Sequence, residues 1–163
     1  MKLIHELAAA FLCAVLLWSG SAAAATTDEQ RLDQAFARST LKIATADAQL
    51  HKIDIWIADN DARRSRGLMF VEHMADDAGM LFIYPGEQAV SFWMKNTLIP
   101  LDMLFVKADG SIAHIAHNAV PMDETPIDSG ASVKAVLEIN GGTANALGIK
   151  EGDKVEYQTR PAQ

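Results

Sequence analysis

Hydrophobic and polar residues alternate along several stretches of this chain, which is the pattern of strands with one buried face. Residues 51–58 place three isoleucines on one face of such a strand and Lys52, Asp54 and Trp56 on the other. We therefore expect a half-buried strand here, with Trp56 on the exposed face. Further strands are predicted over residues 90–95, 103–107, 112–117, 133–139 and 154–159.

An apolar run and two kinds of turn extend this pattern. Residues 79–84 form a continuous apolar run, which suits a strand buried on both faces, and Pro85-Gly86 predicts a turn directly after it. Asp109-Gly110 predicts a hairpin turn, because this pair accepts a positive φ. The polar, proline-bearing residues 121–129 predict a surface loop.

Capping residues predict about three short helices. Thr27 and Gln30 have the spacing of a capping box, so a first helix is expected to begin there. Residues 59–61 cap a second helix, and Thr143 caps a third that ends at Gly148. With about seven strands and no regular alternation of strand and helix, the pattern predicts an α+β fold, mostly antiparallel, with a compact barrel-like core.

The N-terminal segment has the order of a secretory signal peptide. Lys2 is followed by an apolar run from Leu7 to Trp18 and then by small residues up to Ala25. This run is too short for a membrane-spanning helix, which needs about 20 residues. We expect a signal peptide over residues 1–25, a periplasmic or secreted protein, and no stable membrane anchor after cleavage.

The rest of the chain has the size and composition of one folded domain. We expect an N-terminal extension over residues 26–50, with a short helix and the first strand, and a single globular domain over residues 51–160. Half of the 163 residues are hydrophobic and 21% are charged. The net charge of −7 opposes binding to a phosphate backbone, so we expect no nucleic-acid partner.

Four stretches of the sequence together resemble one known family. They are Arg66-Gly67-Leu68-Met69, Gly79-Met80-Leu81-Phe82, the run from Phe92 to Asp102, and Leu137 to Gly142 followed by Gly148 to Asp153. In this order they resemble the family catalogued as domain of unknown function 192, over roughly Ile53 to Tyr157. The resemblance implies a compact, β-rich single domain that is often exported. It implies no particular biochemical activity.

The segment 92–102 contains a candidate ligand site. If its apolar residues face the core, Trp93 and Lys95 share the opposite face, and Asn96 and Thr97 follow in a bend. An indole beside an ammonium, an amide and a hydroxyl can hold a small polar molecule. The alternative is that the amide and the hydroxyl only shape the bend.

Three further charged residues complete this candidate ligand site. Asp102 either takes part in binding or accepts backbone hydrogen bonds at the start of a strand. Arg66 can hold a carboxylate or a phosphate through two parallel bonds, or it belongs to a solvated basic helix face. Glu138 interrupts an apolar strand, and if it points inward it needs a cation partner. We hypothesise that Arg66, Lys95 and Glu138 line one pocket with Trp93.

Metal binding and nucleophilic catalysis find less support. Methionines and histidines in an exported protein suit copper, but methionines inside apolar runs usually fill the core. His114 and His117 point to opposite faces if they lie on one strand. The chain has no nucleophile motif and no phosphate-binding glycine loop. We therefore expect no metal and no cofactor.

The sequence favours a non-enzymatic binding or accessory module for a small polar ligand, a sugar or an anion. One alternative is an envelope-acting hydrolase that uses Glu138 or Asp102 as an acid/base. Another is a protein-interaction module that uses the exposed loops near residues 121–129. A concave pocket that holds Trp93 and a charged pair would favour binding or hydrolysis. A strongly shifted carboxylate in it would favour the hydrolase, and a flat apolar patch the interaction module.

Overall fold

The computed structural model describes residues 27–158, and these residues form three helices and nine strands. The helices are α1 (Asp28–Ala35), α2 (Asp61–Arg66) and α3 (Thr143–Ala146). The strands are β1 (Ala37–Ala44), β2 (Leu50–Ala58), β3 (Ala78–Gln88), β4 (Ser91–Phe92), β5 (Leu101–Val106), β6 (Ile112–Ala119), β7 (Ile127–Asp128), β8 (Val133–Asn140) and β9 (Lys154–Tyr157). Across this range, no helix has the length and apolar character needed to cross a membrane.

Seven strands form one curled sheet in the order β6-β5-β8-β3-β2-β1-β9. All neighbours pair antiparallel except β2 and β3, which are parallel and are connected through α2. The two edges of the sheet meet at one end, where Ser111 bridges Lys154 and the Val155 N–H donates to the Gly110 carbonyl at 2.8 Å. The sheet is therefore a half-barrel, and the predicted α+β class with a barrel-like, mostly antiparallel core is confirmed.

Two hydrophobic clusters cover the two faces of this sheet. One includes residues of both edge strands, such as Ile112 and Val155, and so fills the inside of the curl. The other lies on the outer face, where Leu32 of α1 and the loop residues Leu68 and Met94 are buried against the strands. Because β8 lies between β3 and β5, residues on both of its faces are buried.

Helix α1 begins at the predicted capping box and is packed on the outer face. Thr27 and Gln30 exchange the two hydrogen bonds of the box. Asp33 accepts a hydrogen bond from the Trp56 indole N–H at 2.8 Å. Trp56 is fully buried, so the prediction that it faces solvent is wrong. The strand of the 26–50 segment, β1, pairs with both β2 and β9.

Four other local predictions are also wrong. The strand predicted over residues 90–95 is limited to Ser91–Phe92, because only these two residues pair with β7. The chain does not turn at Pro85-Gly86, because β3 continues to Gln88 through an irregular part of its ladder with β8, where a proline removes no regular bond. The segment 121–129 is not only a loop, since it contains β7, which pairs with β4. Thr143 is the first residue of α3 rather than its cap, and the cap is Gly142.

Candidate functional site

One cavity opens on the outer face of the sheet, between β3, β8 and the loops that cover them. Its volume is about 110 Å³. α2 and the loop after it form one wall, and β4 with the bend after it forms another. Of the seven residues that the sequence nominates, five line this cavity: Arg66, Trp93, Lys95, Thr97 and Glu138.

Glu138 lines the cavity from the centre of the sheet. It lies on β8 between Met80 of β3 and Met103 of β5, and only 4% of the residue is exposed. Burial raises the pKa of its carboxyl to about 8. Within residues 27–158 the carboxyl forms no ion pair or hydrogen bond, so the expected pairing with Arg66 or Lys95 is absent. A proton on the carboxyl takes the place of a cation.

Two arginines of α2 line the cavity, and they differ in how they are held. Arg64 donates to the Ile83 carbonyl at 2.7 Å and forms an ion pair with Asp61 at 2.5 Å. Arg66 is exposed, and no carboxylate of the described residues lies within 4.0 Å of its guanidinium, which lies 5.4 Å from the Phe36 ring. Arg66 therefore keeps its hydrogen-bond donors available to solvent or to a ligand.

The opposite wall carries Trp93 and Lys95. Half of Trp93 is exposed. The Lys95 ammonium lies 5.2 Å from the Trp93 ring and 3.5 Å from the carboxylate of Glu124, which is itself largely exposed. This wall therefore presents an aromatic surface with a cation over it.

Asn96 and Thr97 shape the bend between these walls and the next strand. Asn96 has a φ of 55°, and its carbonyl accepts a hydrogen bond from the Phe70 N–H at 2.9 Å. Thr97 is buried, and its hydroxyl donates to the Lys95 carbonyl at 3.3 Å. Thr97 lines the cavity, whereas Asn96 does not. Asn96 therefore shapes the bend and does not line the cavity, which is the alternative given for it in the sequence analysis.

Asp102 lies outside the cavity and binds only the backbone of the described residues. It is fully buried, and its two oxygens accept hydrogen bonds from the N–H groups of Asn118 and Ala144, each at 2.8 Å. These bonds connect β5 to the end of β6 and to α3. The structure therefore supports the second interpretation of Asp102, in which it accepts backbone hydrogen bonds.

The sequence did not identify the nine other residues that line the cavity, of which three add polar groups on separate elements. Tyr84 belongs to the apolar run of β3, Ser91 opens β4, and Arg64 belongs to the basic cluster of α2. The Arg64 guanidinium lies 5.2 Å from the Tyr84 ring, and burial raises the pKa of the Tyr84 hydroxyl. The sequence did contain a signal for Tyr84, because the apolar run of β3 ends at this residue and polar residues follow it.

The histidines considered for metal binding and the loop considered for protein interaction lie outside this cavity. Among residues 27–158, no three His, Cys, Asp or Glu side chains come together as a metal site requires. His114 instead lies 3.0 Å from the Glu151 carboxylate and stacks on Phe105. Near the loop proposed for protein interaction, Val120 and Met122 are more than half exposed.

Comparison with known proteins identifies the family to which this fold and cavity belong. The family model of domain of unknown function 192, described as Uncharacterized ACR, matches residues 42–157. The chain belongs to this family, and the resemblance drawn from the four sequence stretches is confirmed. The family description gives no biochemical activity.

Two crystal structures share this fold. One is a protein of Sinorhizobium meliloti described as a candidate transcription regulator, with 43% identity and a TM-score of 0.73 over 74% of this chain and 94% of that one. The other is a protein of unknown function from Novosphingobium aromaticivorans, with 42% identity and a TM-score of 0.71 over 74% of this chain and 85% of that one. A search of curated proteins found no match.

Proposed function

We propose that this protein is a non-enzymatic module that binds a small polar ligand in the cavity lined by Trp93 and Glu138. The observation that supports this most directly is the convergence of an exposed indole, three cationic side chains and a buried carboxyl around one opening. Concave sites with an apolar surface and a few directed polar groups are typical of ligand binding. A cavity of about 110 Å³ that opens to solvent suits a small molecule or one unit of a larger one.

Glu138 contributes to this proposal because it has no hydrogen-bonding partner among the described residues. Its oxygens are not among the fully enclosed side-chain atoms without a partner, and the residue lines a cavity that opens to solvent. A ligand hydroxyl or carbonyl that enters the cavity would replace water as the hydrogen-bonding partner of the carboxyl. In its protonated form the carboxyl donates one hydrogen bond and accepts others, so it can bind a neutral or an anionic polar group.

Thermal-shift screening of the purified protein against sugars, organic anions and metal ions tests this proposal. A ligand that binds the folded state raises the melting temperature, and the shift grows with the logarithm of the ligand concentration above its Kd. Trp93→Ala is expected to abolish the shift produced by a true ligand. Leu50→Ala, which also removes an exposed apolar side chain but lies outside the cavity, is expected to retain it. Equal shifts in both variants would contradict the proposed site.

Acid/base hydrolysis is a second candidate, because the raised pKa of Glu138 suits a general acid at neutral pH. Glycoside hydrolysis, however, generally uses a pair of carboxyl groups. Among the described residues that line the cavity, Glu138 carries the single carboxyl. We therefore place binding first. Turnover of a bound sugar derivative that disappears in Glu138→Gln, while its binding persists, would reverse this order.

The proposed setting of this function is the periplasm or the exterior. The signal peptide that motivates it covers residues 1–25, which lie outside the described residues. Mass spectrometry of the protein recovered from a periplasmic fraction tests this, with Thr26 expected as the first residue after cleavage. A full-length chain recovered from the cytoplasm would oppose it.

We do not extend the description of the Sinorhizobium protein as a transcription regulator to this chain. The net charge of −7 opposes association with the phosphate backbone of DNA. The proposed partner is therefore a small molecule and not a nucleic acid.

A further inference from the structure

We infer that the ligand is an acidic saccharide whose carboxylate is bound by Arg66 and which extends from the cavity of Glu138 into a second hollow beside Phe70. This inference rests on the proposed function, since it names the ligand class of the same site. Four observations on the described residues support it: the state of Arg66, the local charge, the exposed aromatic rings and two neighbouring hollows that Arg66 lines in common.

Arg66 differs from the two other arginines of α2 in lacking an acidic partner. Arg63 forms an ion pair with Asp59 at 2.8 Å, and Arg64 forms one with Asp61 at 2.5 Å. No such pair involves Arg66 within residues 27–158, and its side chain is exposed. A guanidinium has a planar fork of donors that matches the two oxygens of a carboxylate. Arg66 is therefore the group of this wall that is free to hold an acid.

The charge around the cavity also favours an anion, although the whole chain is acidic. Three cationic side chains line it, namely Arg64, Arg66 and Lys95, against the single lining carboxyl of Glu138. Arg64 and Lys95 are paired with Asp61 and Glu124, so Arg66 carries the positive charge that no carboxylate of the described residues balances. The carboxyl of Glu138 is mostly protonated at neutral pH, because burial raises its pKa to about 8. An acidic protein that concentrates cations at one opening attracts an anionic ligand to that opening.

Two exposed aromatic rings suit the carbon–hydrogen faces of sugar rings. Trp93 is 50% exposed and Phe70 is 62% exposed. Phe70 has a φ of 64°, which a bulky residue rarely adopts. Its N–H donates to the carbonyl of Asn96, which has a φ of 55° itself. Residues with a left-handed backbone often occur at functional sites. Here this conformation presents the Phe70 ring to solvent.

A second hollow of about 210 Å³ neighbours the cavity of Glu138. Arg66 and Met69 line both hollows, and the second is also lined by Phe70, Leu32 and the ion-paired Asp28 and Arg31. Arg66 thus lies at the junction, with Trp93 on one side and Phe70 on the other. A chain of two or three sugar units can span this junction, whereas a single unit fills only one hollow.

Isothermal titration of the purified protein with three probes tests the inference. The probes are D-galactose, D-galacturonate and tri-galacturonate. We expect galacturonate to bind about 10-fold more tightly than galactose, as one charge-assisted carboxylate contact provides. We expect the trimer to bind more tightly than the monomer, because it also occupies the hollow beside Phe70.

Variants separate the contributions. Arg66→Gln is expected to bring the affinity for galacturonate down to that for galactose, and Arg66→Lys to retain part of the difference. Arg63→Gln removes a charge from the same helix but lies outside both hollows, and it should leave the preference intact. Phe70→Asn tolerates the left-handed backbone and should lower the affinity for the trimer to that for the monomer. Circular dichroism checks that each variant is folded.

The outcomes distinguish this inference from the proposed function. If galactose binds the unmodified protein as tightly as galacturonate, the acidic ligand is wrong while a binding cavity persists. If D-galactose 6-phosphate binds more tightly than galacturonate, the carboxylate is wrong and a phosphate takes its place. If no saccharide binds but another compound of the thermal-shift screen does, the inference alone is overturned. Absence of binding by every compound overturns both.

Discussion

Glu138 is a carboxyl group in the middle of a seven-stranded sheet, between methionines on the two neighbouring strands. Glu138 lies two residues after Val136 and therefore on the same face of β8, which is the outer face of the sheet. Loops rather than solvent cover the strands on this face. An ionised carboxylate there would be costly, so the pKa rises to about 8. The same group therefore links the stability of the fold, its pH dependence and the chemistry of the cavity.

The free energy of unfolding is expected to depend on pH through Glu138. The carboxyl has a pKa of about 8 in the folded state and one near the ordinary glutamate value of 4.5 when unfolded, so the folded state binds more protons between these values. Stability should therefore fall as the pH rises through this window, by on the order of 1 kcal/mol per pH unit from this group. Urea unfolding from pH 5 to pH 8 measures the slope.

Glu138→Gln provides the control for this pH dependence. Glutamine keeps the size and polarity of the side chain but does not titrate, so the variant should lack the component of the slope that Glu138 adds. At pH 8 the variant should be more stable than the unmodified protein, and near pH 5 the two should be similar. Parallel pH profiles for the two proteins would show that Glu138 does not carry a raised pKa.

Much of the candidate site could be predicted from the sequence, but its connections could not. Trp93 and Lys95 were nominated from an alternation over residues 90–95, although the strand itself ends at Phe92. Glu138 stands out as a charge in an apolar strand. The position of Arg66 beside them depends on the parallel crossover from β2 to β3, which places α2 over the sheet. Local spacing does not encode that crossover. For the same reason the absence of a cation beside Glu138 was not foreseen.

Asp102 is expected to matter for stability and not for ligand binding. Asp102→Ala leaves the N–H groups of Asn118 and Ala144 without their acceptor in a buried place. We expect a loss of about 2–4 kcal/mol in the free energy of unfolding, measured by urea denaturation. Asp76→Ala, at an exposed position, should change it by less than about 0.5 kcal/mol. A loss of ligand affinity in folded Asp102→Ala protein would argue for a role in the site.

At the scale of elements, the contact of β3 with β8 sets the position of the cavity floor. Gly79 of β3 lies against β8 so closely that an added Cβ would meet the backbone oxygen of Glu138 at 2.6 Å. A side chain at this position would push the two strands apart. Because Gly79 has no side chain, β8, which carries Glu138, can lie close against β3.

Gly79→Ala is expected to lower the free energy of unfolding by about 2–3 kcal/mol, because overpacked interiors must shift backbone to relieve a clash. Gly86→Ala is the matched control on the same strand, since no atom lies within 4 Å of the Cβ it would add. It should change stability by less than about 1 kcal/mol. Chemical denaturation of both variants measures the difference, and equal effects would show that the close approach has no energetic consequence.

The elements that the sequence predicts well are those defined by local chemistry. The cap of α1 at Thr27 and the Asp109-Gly110 hairpin depend on neighbouring residues only, and both form as expected. The continuation of β3 past Pro85 and the pairing of β7 with β4 depend on distant strands. Turn and loop signals in those segments are real but weaker than the pairing that tertiary structure supplies.

At the scale of the whole molecule, the cavity of Glu138 lies on the outer face of the half-barrel. The inner cluster consists of apolar residues from seven strands and the region around α3, and the buried carboxylate of Asp102 accepts a hydrogen bond from the Ala144 N–H beside it. The outer face is covered by α1, α2 and loops, and the cavity lies where this cover meets Glu138. Closure of the sheet and formation of the site therefore occur on opposite faces, which allows them to be perturbed separately.

Closure of the half-barrel depends on the contact of the β5–β6 hairpin with β9. Gly110 has a φ of 82°, and an added Cβ would meet the Val155 carbonyl oxygen at 2.8 Å. Gly130 also has a positive φ, of 66°, but has no atom within 4 Å of such a Cβ. Alanine at Gly130 should therefore cost about 1 kcal/mol of stability from backbone conformation alone. Alanine at Gly110 should cost roughly twice as much, because it also opposes closure.

Hydrogen exchange shows where Gly110→Ala destabilises the sheet beyond the backbone cost that it shares with Gly130→Ala. In Gly110→Ala, the amides of Ile112 and Val155, which bond across the closure, should exchange faster than in the Gly130→Ala control. The amide of Leu137, in the central strand β8, should follow the change in global stability in both variants because its exchange requires unfolding of the sheet. Ligand binding on the outer face should be retained. Uniform acceleration of all three amides in Gly110→Ala would mean that the two edges open only when the entire sheet unfolds.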